Sequence, residues 1–252
     1  ATQQVTFDNW HATPGSYTVN VCTQLGGDQN PANNCLSKNV GVFSGSWSSG
    51  SNNPDTIYIG GGVGYTTTTP QDVTLNYLFT IGGGDTLTFI AIDRVNRYDV
   101  STNTWVPSAP LPAARDRLAS VLAGDFIYAI GGADATGVYQ PTVYKYDIVG
   151  NSWTTVAALP TAHGWGKAVA YNNRIYLAGG FDGVSSLSSV IVYDISANTW
   201  TPATSMPGVR IGGAFSIVGN QLIYVGGSDD AAVTNTVFIG TISGGDPLNI
   251  SW

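Results

Sequence analysis

The chain reads as an all-β protein of repeated modules, on three observations. Its composition is that of turns and strands. Of 252 residues 32 are glycine, all 16 acidic residues are aspartate, and lysine occurs only at Lys38, Lys145 and Lys167. Glu and Lys favour helices, whereas Asp, Asn, Gly, Ser and Thr favour turns and half-buried strands. A Gly-Gly pair followed about twenty residues later by a Trp occurs four times in succession, from Gly82-Gly83 to Trp105, Gly131-Gly132 to Trp153, Gly179-Gly180 to Trp200 and Gly226-Gly227 to Trp252. Short β-patterned runs fill the intervals. A period near fifty residues built from short strands predicts the blades of a β-propeller.

The N-terminal residues 1–47 stand apart. Residues 17–25 and 35–43 predict a hairpin around the loop GGDQNPANN. With Cys22 opposite Cys35, Val21 faces Leu36, Val19 faces Lys38 and Tyr17 faces Val40, so the cysteines share one face and most apolar residues the other. That register predicts a Cys22–Cys35 disulfide, the alternative being two free thiols. Phe7, Asn9-Trp10, Pro14-Gly15-Ser16-Tyr17, Gly27-Asp28-Gln29-Asn30 and Asn33-Asn34 resemble the end of a CARDB-type immunoglobulin-like bacterial adhesion module. The other reading is a degenerate blade, since Gly26-Gly27 to Trp47 repeats the later spacing.

Residues 48–252 divide into four expected blades, 48–105, 106–153, 154–200 and 201–252. In the first, IYIGGG (57–62) reads as the inner strand, followed by a long Thr-rich loop. The second reads most clearly, as LASVLAG, FIYAIGG, TVYKYD and NSWTTV. The third gives KAVAY, RIYLAGG, VIVYD and NTWTP, and the fourth GAFSIV, LIYVGG, TVFIG and ISW. The Gly-Gly, the Tyr-Asp of Tyr98-Asp99, Tyr146-Asp147 and Tyr193-Asp194, and the Trp six residues after that Asp resemble the kelch repeat. The fourth blade departs, with Ile239-Gly240 in place of Tyr-Asp. Kelch propellers close with five to seven blades. The resemblance therefore implies that residues 1–47, a longer chain or a neighbouring subunit completes the ring.

Two residue sets fall on loops at one face of such a disc. The third residue after the proline that begins each blade is Arg115, His163 or Arg210, and Asp85, Asp134, Asp182 and Asp229 follow the Gly-Gly pairs. Symmetry predicts that both sets ring one mouth, with Trp165 and Tyr139 as stacking surfaces. Such groups suit a glycan or a protein ligand. On the structural reading Asp caps its own turn and Arg pairs with the next blade; a Ca²⁺-binding Asp ring is a third reading.

A net charge of -7 argues against nucleic acid, which needs clustered Lys and Arg. No apolar run approaches the roughly 20 residues needed to span a bilayer. With Met206 the only methionine and no leader visible, the chain reads as processed or as part of something longer. The Lys-poor, Thr-rich composition and the cysteine pair predict an extracellular or cell-surface location. No glutamate is present and His11 and His163 are the only histidines, so no enzyme, cofactor or metal is expected. A kelch-type sugar mutarotase is the enzyme least excluded. The reading is thus a recognition or adhesion module, with a surface fibre or oligomer closed by strand addition as the alternative.

Overall fold

A computed structural model describes residues 15–22, 35–42, 48–70 and 74–252. It contains strands and no helix among the described residues, in two compact units, Ala1–Gly50 and Ser51–Trp252.

In the first unit β1 (Gly15–Cys22) pairs antiparallel with β2 (Cys35–Val42). The register sets Cys22 opposite Cys35, Val19 opposite Lys38 and Tyr17 opposite Val40, as the alternation of side chains requires. The cysteine side chains lie outside the described residues. So does most of the immunoglobulin-like motif, and Trp47 of the blade-like reading with it.

The second unit is four antiparallel four-stranded blades. β3 (Ile57–Tyr58) is a short strand before blade I, which contains β4 (Gly61–Thr68), β5 (Thr74–Ile81), β7 (Val95–Asp99) and β8 (Thr104–Pro107). β6 (Gly84–Asp85) pairs with β3. Blade II is β9 (Ala119–Ala123), β10 (Phe126–Ile130), β11 (Val143–Asp147) and β12 (Ser152–Val156). Blade III is β13 (Lys167–Tyr171), β14 (Arg174–Ala178), β15 (Val190–Asp194) and β16 (Thr199–Ala203). Blade IV is β17 (Ala214–Val218), β18 (Gln221–Val225), β19 (Val237–Ile242) and β20 (Ile250–Ser251).

Two sequence assignments are corrected. IYIGGG is not the inner strand of blade I. Pro54 occupies the place of Pro112, Pro160 and Pro207, seven residues before the first strand in every blade, so the inner strand begins at Gly61. The threonines assigned to a loop extend that strand to Thr68, as β-branched residues favour. In blade IV, Gly240 pairs with Leu222 as Tyr146 pairs with Ile127, so Gly240-Thr241, one residue later than expected, stands for Tyr-Asp. Gly240 lies under Trp252, where a Cβ would meet the indole at 2.7 Å.

Three cores lie between consecutive blades. Each joins the forward face of one blade to the rear face of the next. Val63, Phe79 and Ile81 meet Ile127, Tyr144 and Tyr146; Val121, Tyr128 and Val143 meet Ile175, Leu177 and Tyr193; Val169, Tyr176 and Val192 meet Leu222, Tyr224 and Ile250. The repeat tryptophans lock each blade's outer strand to the segment that leads into the same blade. Trp105, Trp153, Trp200 and Trp252 donate Nε1–H to the carbonyls of Ser51, Ala109, Ala157 and Thr204 at 2.8–3.0 Å. The tyrosine before each Asp stacks on its Trp, with centroids 4.8 Å apart for Tyr146–Trp153.

Candidate functional site at the mouth of the propeller

The first strand of each blade runs away from the loop that leads into it, and the second returns to the Gly-Gly. Lead-in loops and Gly-Gly loops therefore share one face. The fifth residue after each lead-in proline has positive φ: Ile59 47°, Arg117 54°, Trp165 60° and Gly212 71°. These four build a backbone ladder round the mouth. Arg117 N–H donates to Ile59 C=O at 3.0 Å, Trp165 N–H to Arg117 C=O at 2.8 Å, and Gly212 N–H to Trp165 C=O at 3.3 Å.

The third residue after the proline takes a different course. Its carbonyl crosses to the preceding blade and accepts from the second glycine of the pair: Gly83 to Arg115 at 2.8 Å, Gly132 to His163 and Gly180 to Arg210 at 2.7 Å. The first glycine has positive φ, and no Cβ would fit against these carbonyls at Gly82, Gly131 or Gly179. This is the reason for the pair.

Arg115, His163 and Arg210 are consequently buried in the wall, at 5%, 3% and 5% exposure. Arg115 donates to the Thr142 hydroxyl at 2.8 Å and lies over the Tyr144 ring; Arg210 donates to the Thr236 hydroxyl and lies 4.3 Å from the Phe238 ring centroid. In blade III Ser189 and Ile191 stand where the other two blades have Thr and an aromatic ring. No ring is present there to receive a guanidinium, and a histidine fills the smaller site. Its Nε2 has no hydrogen-bond partner among the described residues, and burial pulls its pKa down to about 4 against the weaker upward pull of the Gly179 backbone and Asp182.

The aspartates cap their own loops. Asp85 accepts from Leu87 and Thr88, Asp134 from Thr136 and Gln140, Asp182 from Val184 and Ser185, and Asp229 from Ala231 and Ala232. Those hydrogen bonds hold all four carboxyls below the usual aspartate range. No cluster of three or more His, Cys, Asp or Glu fit for a metal occurs among the described residues.

Of the nine residues expected to line the mouth, Trp165 and Tyr139 are brought together. Trp165 Nε1–H donates to Tyr139 Oη at 3.1 Å, and Tyr139 meets the Phe181 ring edge-on at 5.5 Å. Gly164 leaves the room for Tyr139 to lie on blade III's lead-in loop. The guanidinium of Arg117 stands 5.5 Å from the Trp165 ring centroid and pairs with Asp116 at 2.7 Å. Burial pushes the Asp116 carboxyl up, against the pull of that guanidinium. Trp165, Tyr139 and Arg117 stay partly exposed, so this step between blades II and III presents two rings and a cation to solvent.

Just inside, the first residues of the inner strands are Gly61, Ala119, Lys167 and Ala214. Gly61 and Ala119 line a cavity of about 220 Å³ together with Ser120, Phe215 and Lys167, which brings an ammonium to its wall; burial lowers the Lys167 pKa. Lys167 has no ion-pair partner among the described residues. The sequence reading missed Arg117 and Lys167. The signal for Arg117 was its place, five residues after Pro112, matching that of Trp165 after Pro160.

A larger groove of about 540 Å³ lies at the opposite face, between the first hairpin turns of blades II and III, with Phe126, Lys145, Tyr171 and Arg174 in its walls.

Two comparisons agree with this architecture. Residues 64–243 match the KLHDC2/KLHL20/DRC7 Kelch-repeats domain. A segment of 43 residues is 49% identical to Kelch-like protein 1 of Mus musculus; it covers 17% of this chain and 6% of that protein, so the likeness concerns a small part of the relative. With the family match spanning most of its length, four blades in register and the repeated Gly-Gly, Tyr and Trp contacts, the chain belongs to the kelch-repeat family.

Proposed function

We propose that the propeller is a recognition module that holds a segment of a protein partner at the Arg117–Trp165–Tyr139 step of its mouth. Kelch propellers are typically protein-interaction modules. The observation that carries the site is the cation stacked on Trp165, itself hydrogen-bonded to Tyr139 from the neighbouring blade. Trp, Tyr and Arg are the residue types that dominate binding energy in protein interfaces. Lys167 supplies a further cation for a carboxylate or carbonyl group that reaches into the channel.

The burial of Arg115, His163 and Arg210 within separate blades supports recognition over sugar mutarotation, which needs such groups to converge on one substrate. A glycan is the second reading, favoured by the Trp165 and Tyr139 ring faces. Peptides selected from a displayed library on the intact chain, and a glycan array run beside them, test both. Trp165→Ala and Arg117→Ala are each expected to weaken the selected ligand roughly tenfold or more, with unchanged urea midpoints. Equal affinity in all three proteins contradicts the assignment.

We place the protein at the cell surface or outside the cell. The support is its composition and the opposed positions of Cys22 and Cys35. Titration of unreduced protein with a thiol reagent is expected to find no free thiol, and two after reduction under denaturant. Two thiols before reduction remove that support.

A further inference from the structure

The groove between blades II and III, at the face opposite the mouth, opens where one side chain is missing. The fifth residue of the first strand is Tyr65 in blade I and Tyr171 in blade III, but Ala123 in blade II. Tyr65 is buried in the core between blades I and II, and its hydroxyl donates at 2.9 Å to Asp125, in the first hairpin turn of blade II. That contact ties blade I to blade II. Ala123 has no side chain to reach the turn of blade III in the same way, and about 540 Å³ stays open beside it. The groove lies in the middle of the row of blades, with blade I before it and blade IV after it.

The same replacement leaves a cation uncovered. Blades I and II each stack one on an aromatic ring, two residues before the Asp of Tyr-Asp. Arg97 stands 4.5 Å from the Tyr77 ring centroid, and Lys145 3.7 Å from that of Phe126. In blade I the pair is enclosed, so that Arg97 Nε is buried. In blade II, Lys145 and Phe126 are partly exposed and form one wall of the groove. Lys145 has no ion-pair partner among the described residues. Arg174, in the facing wall, pairs with Asp194 at 3.1 Å. Asp125, the acid at the rim, accepts from the Tyr65 hydroxyl of blade I. The groove therefore keeps an unpaired positive charge, in a protein of net charge -7.

Ala123, Ala170 and Ile195 supply apolar surface to the same groove, with the Tyr171 ring beside them. A cavity of this volume, mostly apolar with one fixed charge, has the makings of a small-molecule site. We propose that the groove binds a small organic carboxylate, its acid group on Lys145 Nζ and its aryl or alkyl body against Ala123, Ala170 and Ile195. None of these residues belongs to the mouth, so the site is independent of the ligand held there.

Ligand-detected NMR titration of the full chain with 2-naphthoate tests this, with 2-naphthalenemethanol as the neutral compound of the same shape. Naphthoate is expected to bind with a Kd of about 1 mM or tighter, and the alcohol about tenfold more weakly. Lys145→Met keeps the length of the side chain and is expected to bring the two compounds to equal affinity. Ala123→Tyr restores the side chain of blades I and III, and is expected to abolish binding of both. Circular dichroism checks each fold, and Ala123→Leu replaces the tyrosine variant if it fails. Equal affinity of the wild type for acid and alcohol overturns the proposal. So does unchanged naphthoate binding in the folded Ala123 variant, which places the probe elsewhere, and so does an undiminished preference for the acid in Lys145→Met.

Discussion

Gly131→Ala is expected to cost this protein about 3 kcal/mol or more of stability, and Gly226→Ala only about 1–2 kcal/mol, although both replace the first glycine of the same motif. The two share their backbone strain, with φ of 64° and 65°. They differ in what stands opposite. At Gly131 a Cβ collides with the His163 carbonyl, which cannot retreat while it accepts from Gly132 N–H at 2.7 Å. At Gly226 the nearest atom is 3.2 Å away. Urea midpoints at constant m-value measure the difference. Equal losses at the two positions are incompatible with the approach of the next blade's loop as the reason for the pair.

Acidification from pH 6.5 to 4 is expected to remove roughly 3 kcal/mol through His163 alone. Its pKa in the fold is about 4, against an unfolded value near 6.5. The unfolded chain therefore takes up the proton first. Stability from this group is complete above about pH 6.5 and falls progressively until about pH 4. The capping aspartates, with pKa values held low, weaken the fold only below their unfolded value near 3.9, so they act in a separate window. Asp116 acts in the opposite sense, since a raised carboxyl pKa favours the fold on acidification. His163→Gln keeps a neutral side chain of similar reach and is expected to flatten the pH 4–6.5 slope, read from urea midpoints across that range. An unchanged slope means that His163 does not titrate out of the fold.

Much of the architecture was legible in the sequence because it rests on residues with no substitute. Trp153 and Trp200 each need an opposed Tyr and a carbonyl, and Gly131 and Gly179 need the absence of a side chain, so these types recur at fixed intervals. Blade I was misread because Ile57 replaces the Arg or His of its loop, while Ile-Gly-Gly imitates the end of a second strand. Blade IV was misread by one residue because Gly240 replaces Tyr under Trp252. The turn SGGDPLN, capped by Asp246, also lengthens the run to that Trp.

The mouth was only half legible. Loop position said that Arg115, His163 and Arg210 were on the right face. It did not say that their carbonyls are pulled onto the preceding blade, which turns the side chains into the wall. Two residues on, the positive-φ ladder presents Arg117 and Trp165 outward instead. That reversal depends on contacts between blades, which a single repeat does not contain.

Residue-level footprinting of the protein with a bound peptide ligand, by radical labelling read with mass spectrometry, most directly tests where recognition occurs. Protection is expected at Tyr139, Trp165 and Phe181, with Phe126 and Tyr171 of the opposite groove labelled as in the free protein. Protection of Phe126 and Tyr171 with Tyr139 and Trp165 unchanged would move the binding site to the other face.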